Sequence, residues 1–235
     1  MKYSVSSQVF TLDPRLRFGI IIGKGLKNRP STREDETRLR NAEESVRKRI
    51  KPEALREVSN IALYRETMKK AGINPNRFPV SVEAMLKRVL KGDQLPSINA
   101  LVDLCNAVSL ENLITLGAHD LNDIEDDLSV RFTTGHEKFL PFGQEEEESV
   151  EEGELVFTSG NQVQTRKWIW RQSELGKTTL HSHHIIFQLV GMADDPENTL
   201  ESAMKSIEKL VMQEFGGTCD SYLVSPENTE IEFDE

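Results

Sequence analysis

Between Ser81 and Val108 the apolar residues follow one spacing rule, and after Ser109 they follow another. Val82, Met85, Leu86, Val89 and Leu90 recur three and four positions apart, the stripe of an amphipathic helix that Ser81 would cap and Gly92 would close. Ser97 is placed to cap a second helix, with Ile98, Leu101, Val102, Cys105 and Val108 along one side. Beyond Ser109 the apolar residues gather in short runs at 113–116, 128–133, 154–158, 162–170 and 184–190, separated by Gly, Asn and Asp. That is the texture of strands. One helical stretch returns late, opened by Pro196 and running to about Phe215, with Leu200, Met204, Ile207, Leu210 and Val211 inward. Helices gathered before strands, with a single late helix, predict an α+β fold.

The flanking segments extend this outline. Tyr3–Thr11 alternates weakly and reads as a strand; Phe18–Ile22 is an uninterrupted apolar run, the mark of a strand buried on both faces. Ser31 and Thr32 can cap a helix reaching about Ile50, whose first turn carries Glu34, Asp35 and Glu36 where the helix dipole favours them. Pro52 suits the first turn of the next helix, which Gly72 ends. Thr218–Val224 reads as a last strand and residues 226–235 as an acidic tail. With 235 residues and no internal repeat, the expectation is one domain: an N-terminal strand and helical part over 1–75, a core over 76–225, and the tail.

Charge is unevenly spread. Residues 1–110 carry 21 Lys and Arg against 12 Asp and Glu; residues 111–235 carry 8 against 27. The basic half, including Arg38, Arg40, Arg47, Lys48 and Arg49, could meet phosphates, or could be no more than solvated helix faces. No window approaches the roughly 18 apolar residues of a membrane span, the N-terminus lacks the pattern of a signal peptide, and Cys105 and Cys219 have no metal-type spacing. A cytoplasmic protein with no membrane and no DNA partner is the expectation.

Several chemistries find no support. Alternation puts His181 and His183 on one side of a strand, but no third ligand has an obvious spacing, so no metal is expected. Gly23 to Arg29 lacks the spacing of a phosphate-binding loop, and no GxSxG is present. No cofactor is expected. Two segments are richer. Asn99, Asp103 and Asn106 share one face of the second helix, where short polar residues either bond neighbouring backbone or meet a polar ligand. In "TRKWIWRQS", period-two alternation would put Arg166, Trp168, Trp170 and Gln172 on one side and Arg171 and Ser173 on the other. Indoles can wall a pocket, and arginine and glutamine can hold carboxylate, phosphate or ribose; equally, the tryptophans could be core and the arginines rim packing.

Those same segments carry a resemblance. "INALVDLCNAVSLENLITLGAHDLNDI", the preceding "PVSVEAMLKRVLKG" and "ELVFTSGNQVQTRKWIWRQSE" resemble the B3/B4 domain of the bacterial phenylalanyl-tRNA synthetase β-subunit, and more closely the free-standing B3/B4 proteins, which share a Gly-Ala-x-Asp turn (Gly117–Asp120) and the Trp-x-Trp-Arg-Gln-Ser segment (Trp168–Ser173). The likeness runs from about Phe78 to Met192. It implies a β-sandwich of mixed sheets with flanking helices, and an editing site that hydrolyses the ester linking tyrosine to tRNA for phenylalanine. Asn106 matches the asparagine of the family's Thr-Asn pair, Cys105 stands in place of the threonine, and Gly117 stands where the family has histidine, with His119 two places later. A pocket so relined is expected to take something other than a plain tyrosyl ester, or to bind without hydrolysis. The resemblance thus implies a tRNA or aminoacyl-tRNA partner. Asn106, His119 and Asp120 would be catalytic; Asn99, Asp103, Gly117, Arg166, Trp168, Trp170, Arg171, Gln172 and Ser173 would bind substrate.

Overall fold

The computed structural model describes residues 1–195 and 197–234. The elements run β1 (Lys2–Val5), α1 (Ser7–Leu12), β2 (Leu16–Lys24), α2 (Arg33–Arg49), a 3-10 turn (Pro52–Glu57), α3 (Ser59–Lys70), α4 (Ser81–Leu90), α5 (Ala100–Asn112), β3 (Thr115–Asp120), a second 3-10 turn (Leu121–Asp123) and β4 (Leu128–Phe132). There follow β5 (Lys138–Phe139), β6 (Glu148–Ser149), β7 (Leu155–Ser159), β8 (Gln162–Arg166), β9 (Arg171–Gln172), β10 (Ile185–Met192), α6 (Thr199–Phe215), β11 (Thr218–Val224) and β12 (Glu230–Glu232). The fold is α+β, as expected.

Two sheets form. One is mixed, in the order β12-β1-β4-β7-β8-β5-β6 with β9 against β8; β1–β4 and β5–β8 are its parallel pairs. The other is antiparallel, β11-β2-β10-β3. Phe18, Ile20 and Ile22 of β2 join the core shared with the mixed sheet, while Ile21 packs with Phe187, Leu104 and Ile207 under α5 and α6. The antiparallel sheet is therefore covered on both faces, which is why β2 reads as a continuous apolar run rather than an alternating one. Gly19 and Gly191 let α6 lie directly on this sheet: a Cβ at Gly191 would come within 2.6 Å of Leu200, and one at Gly19 would strike Met204.

Caps decide where the helices begin. Thr32 and Asp35 close a reciprocal capping box on α2. Ser97 does not cap α5; Asn99 does, accepting from the Val102 amide, and α5 runs on to Asn112 before Leu113 turns left-handed at φ 54°. Ser81 lies inside α4 instead of capping it, its hydroxyl 2.9 Å from Thr115 Oγ1. Ser6 breaks the expected first strand by capping α1, and the expected helix at Pro52 divides into a 3-10 turn and α3. The acidic tail is also an element: Glu230–Glu232 pairs with β1 and completes the mixed sheet. Pro196 lies outside the described residues.

Four arginines of α2 are spent on the fold, while Lys48 stays at the surface beside Glu44. Arg47 donates to the carbonyls of Val89 and Asp93, and Arg49 to those of Leu110 and Glu111, at the C-terminal ends of α4 and α5 where carbonyls lack helical partners. Arg38 is paired with Glu214, and Arg40 with Leu95 O and Glu43. These arginines clamp helices together.

Candidate functional site

The tryptophan segment is a strand end, a turn and a strand start, not a continuous strand. β8 stops at Arg166, Lys167 and Trp168 take left-handed φ of 50° and 69°, and β9 resumes at Arg171. Period-two alternation fails across that turn. Trp168 is fully buried in the core, edge-on to Tyr64 with ring centroids 6.3 Å apart. Trp170 packs edge-on to Phe78 at 4.7 Å and is half-buried. The two indoles do not share a face, and with Trp168 fully buried they border no common open cavity among the described residues. Arg166 is also committed inward: Nε and Nη2 donate to Glu154 at 2.9 and 2.6 Å, Nη1 faces Glu148, and Lys167 closes on the same Glu154. Arg171 is exposed, and its guanidinium has no hydrogen bond or ion pair among the described residues.

Three more expected ligand contacts are structural. The Asn99 carboxamide caps α5 and donates to Thr178 O. Asp103, 1% exposed, accepts from Ser31 Oγ at 2.6 Å, Ser97 Oγ at 2.5 Å and the Ile98 amide at 2.9 Å, pinning the chain that enters α5. Ser173 is buried and donates to Leu140 O while accepting from the Leu175 amide. Asp120 is buried too. It caps the 3-10 turn through the Asn122 amide and takes the Ser182 hydroxyl, so it does not stand ready to position a water.

What remains of the expected set comes together. Asn106, Gly117 and Gln172 line one pocket of about 200 Å³. Helix α5 forms one wall through Val102, Cys105 and Asn106; the edge strand β3 forms the other through Leu116, Gly117 and Ala118; Thr178 and Lys177 close the end. Because the Asp120 amide points away from β10, donating to Gly176 O at 2.9 Å, strand geometry turns the backbone groups of Ala118 and Leu116 the same way, toward the pocket side. Of Asn99, Asp103 and Asn106 only Asn106 faces this space, and its carboxamide has no hydrogen bond among the described residues. The Cys105 thiol in the wall is pushed by burial up to about 12, so it stays protonated. Gln172 donates to Ala118 O at 3.1 Å and lies 3.2 Å from His119 Nδ1. His119 sits behind β3, its ring edge-on to Phe157 at 5.1 Å, and burial drives its pKa down to about 4.

The rim was not legible in the sequence. Ile98 and Phe142, 60% and 51% exposed, stand at the mouth, and Lys177 approaches the Phe142 ring at 5.9 Å while pairing with Glu174. Phe142 sits in a loop with no strand or helix signal, and Lys177 reaches the site only because residues 176–178 run along β3. Larger open grooves exist elsewhere, such as one of about 550 Å³ beside Met1, Asp127 and Asp220. That groove contains none of the residues expected to be catalytic or to bind substrate.

A family model, the B3/4 domain, matches residues 63–206, a span containing every wall of this pocket. The chain belongs to the B3/4 domain family. Among solved structures, an N-terminal fragment of the phenylalanyl-tRNA synthetase β-subunit from Pyrococcus horikoshii is similar at 11% identity and a TM-score of 0.49, over 92% of this chain and 49% of that one. The chain thus spans about half of that fragment's length. The curated proteins gave no match. Within this B3/4 domain no described helix is long and apolar enough to cross a membrane, and no three His, Cys, Asp or Glu among the described residues converge as a metal site.

Proposed function

We propose that this B3/4 domain protein binds the aminoacyl end of a mischarged aminoacyl-tRNA and hydrolyses its ester in trans. One observation carries the reading: the unpartnered Asn106 carboxamide faces a small apolar-walled space across from the outward backbone of β3, beside Gln172. At about 200 Å³ the space is smaller than a drug-sized site and suits an amino-acid side chain. An aminoacyl ester is already activated, so a water held by amide and backbone groups suffices and no protein nucleophile is required. That agrees with a wall whose thiol stays protonated. Phosphate contacts would come from Arg171 and from surface lysines, since Arg38, Arg40, Arg47 and Arg49 of α2 are engaged within the fold.

The test is deacylation of a panel of correctly and wrongly charged tRNAs, each followed by loss of the labelled amino acid. Turnover of one or a few mischarged species is expected, with Asn106→Ala lowering kcat/KM at least tenfold. No turnover on any member removes the hydrolase. A second reading is a non-catalytic module for an amino acid, small metabolite or RNA; the exposed Glu145–Glu148 run, which repels a polyanion, favours its small-molecule form. Binding without turnover in the same assay would select it.

A further inference from the structure

The hydrogen bonds of Gln172 decide where the proton of His119 lies. One side-chain atom of Gln172 is 3.1 Å from Ala118 O, 3.4 Å from Gly176 O and 3.2 Å from His119 Nδ1. Carbonyl oxygens only accept, so that atom is the amide nitrogen, whichever way the carboxamide is drawn. An amide nitrogen cannot accept, so Nδ1 has no proton to give it and faces it with a lone pair. The ring proton is then on Nε2. With the pKa driven down to about 4 by burial, the ring is neutral at physiological pH and this tautomer is its working form.

Nε2–H has no hydrogen-bond partner among the described residues, although His119 is only 2% exposed. It lies directly behind Gly117: a Cβ there would stand 3.2 Å from Nε2. Gly117 is not among the positive-φ residues, so its backbone does not call for glycine. What glycine supplies at this position is space, and Gly117 lines the pocket. A donor with no acceptor, on a residue only 2% exposed, thus stands directly against Gly117 of the pocket wall, and an oxygen inside the pocket is the group that would complete it.

We propose that His119 is a catalytic hydrogen-bond donor, its Nε2–H reaching through the space left by Gly117 to the carbonyl oxygen of the bound acyl group. The assignment rests on the aminoacyl-ester reading above. In the reaction, the oxygen of water bonds to the ester carbon and the carbonyl π pair moves onto the carbonyl oxygen, where Nε2–H holds it. When that pair returns, the bond from carbon to the ribose oxygen breaks and the proton from water passes to the ribose oxygen, leaving free amino acid and free tRNA. A neutral imidazole does this without changing its own charge, and fixed donors aimed at a developing oxyanion are worth about 10²–10³ in kcat.

The experiment uses the full chain and the aminoacyl-tRNA it cleaves fastest. His119→Phe, which keeps a ring but no donor, should lower kcat about 100-fold with KM changed less than about threefold. His119→Gln, whose amide can place N–H near the position of Nε2, should recover most of that loss. Gly117→Ala should fill that space and lower kcat while leaving the melting temperature near wild type. Long-range proton–nitrogen NMR of the wild type should show the Nε2-protonated form. Wild-type turnover with an unaffected His119→Phe, or an Nδ1-protonated ring, overturns this assignment and leaves the hydrolase reading standing. A wild type that cleaves nothing overturns both.

Discussion

Removing the indole of Trp168 separates a core residue from a ligand wall. The side chain is fully buried against Tyr64 and the α4 end of the domain, and the Ile169 carbonyl beside it receives the Ser81 amide that starts α4. A buried tryptophan removes about 200 Å² from water, or about 5 kcal/mol at 25 cal/mol/Å². Two features subtract from this. Its Nε1–H has no partner, a loss of about 1–3 kcal/mol, and the left-handed backbone at Lys167 and Trp168 adds strain of about 1 kcal/mol per residue. Trp168→Ala keeps the strain and opens a cavity, so it should destabilise by about 3–4 kcal/mol. Trp168→Phe fills most of the space and removes the orphan donor, so about 1–2 kcal/mol is expected. Trp170→Ala, half-buried against Phe78, should cost about 1 kcal/mol. Urea unfolding followed by far-UV circular dichroism measures all three. A Trp168→Ala protein within about 1 kcal/mol of wild type, or one more stable than Trp170→Ala, would refute the reasoning.

His119 should make stability pH-dependent. Its folded pKa of about 4 lies below the ordinary 6.5, so the unfolded chain binds the extra proton first and stability falls as pH drops from 6.5 toward 4, by about 3 kcal/mol in full. His119→Gln should flatten that slope in melts between pH 6.5 and 4.5; Asp13, held low by Arg15, contributes only below its unfolded pKa near 4. Asp103→Ala orphans Ser31, Ser97 and the Ile98 amide and should cost about 2 kcal/mol, with hydrogen exchange rising at residues 97–99. Arg49→Ala should cost about 1 kcal/mol in chemical unfolding, since it uncaps the end of α5. If the α2 arginines serve the fold alone, Arg49→Ala will also leave the salt dependence of any tRNA binding unchanged, whereas Arg171→Ala will reduce its slope by about one.

Local chemistry settled much of this molecule in advance. Periodicity marked α4 and α6, the unbroken run at Phe18–Ile22 announced a strand covered on both faces, and Ser31 and Thr32 before an acidic first turn marked the start of α2. Each depends on residues within a turn or two of one another. The motif residues Asn106, Gly117 and Gln172 could likewise be singled out from their segments, and they do meet. Tertiary structure decided what the polar side chains were for. Asn99, Asp103 and Asn106 share a helix face in sequence, yet the first two satisfy backbone and hydroxyl groups of loops brought from residues 28–31 and 178, and only the third is left facing open space. Glu154 claimed Arg166 and Lys167 from a neighbouring strand, and two left-handed residues turned Trp168 into the core where alternation would have left it beside Trp170. A buried polar group takes whichever partner the folded chain brings within hydrogen-bond distance. That partner is set by strand and helix packing across a hundred residues, which no local pattern encodes.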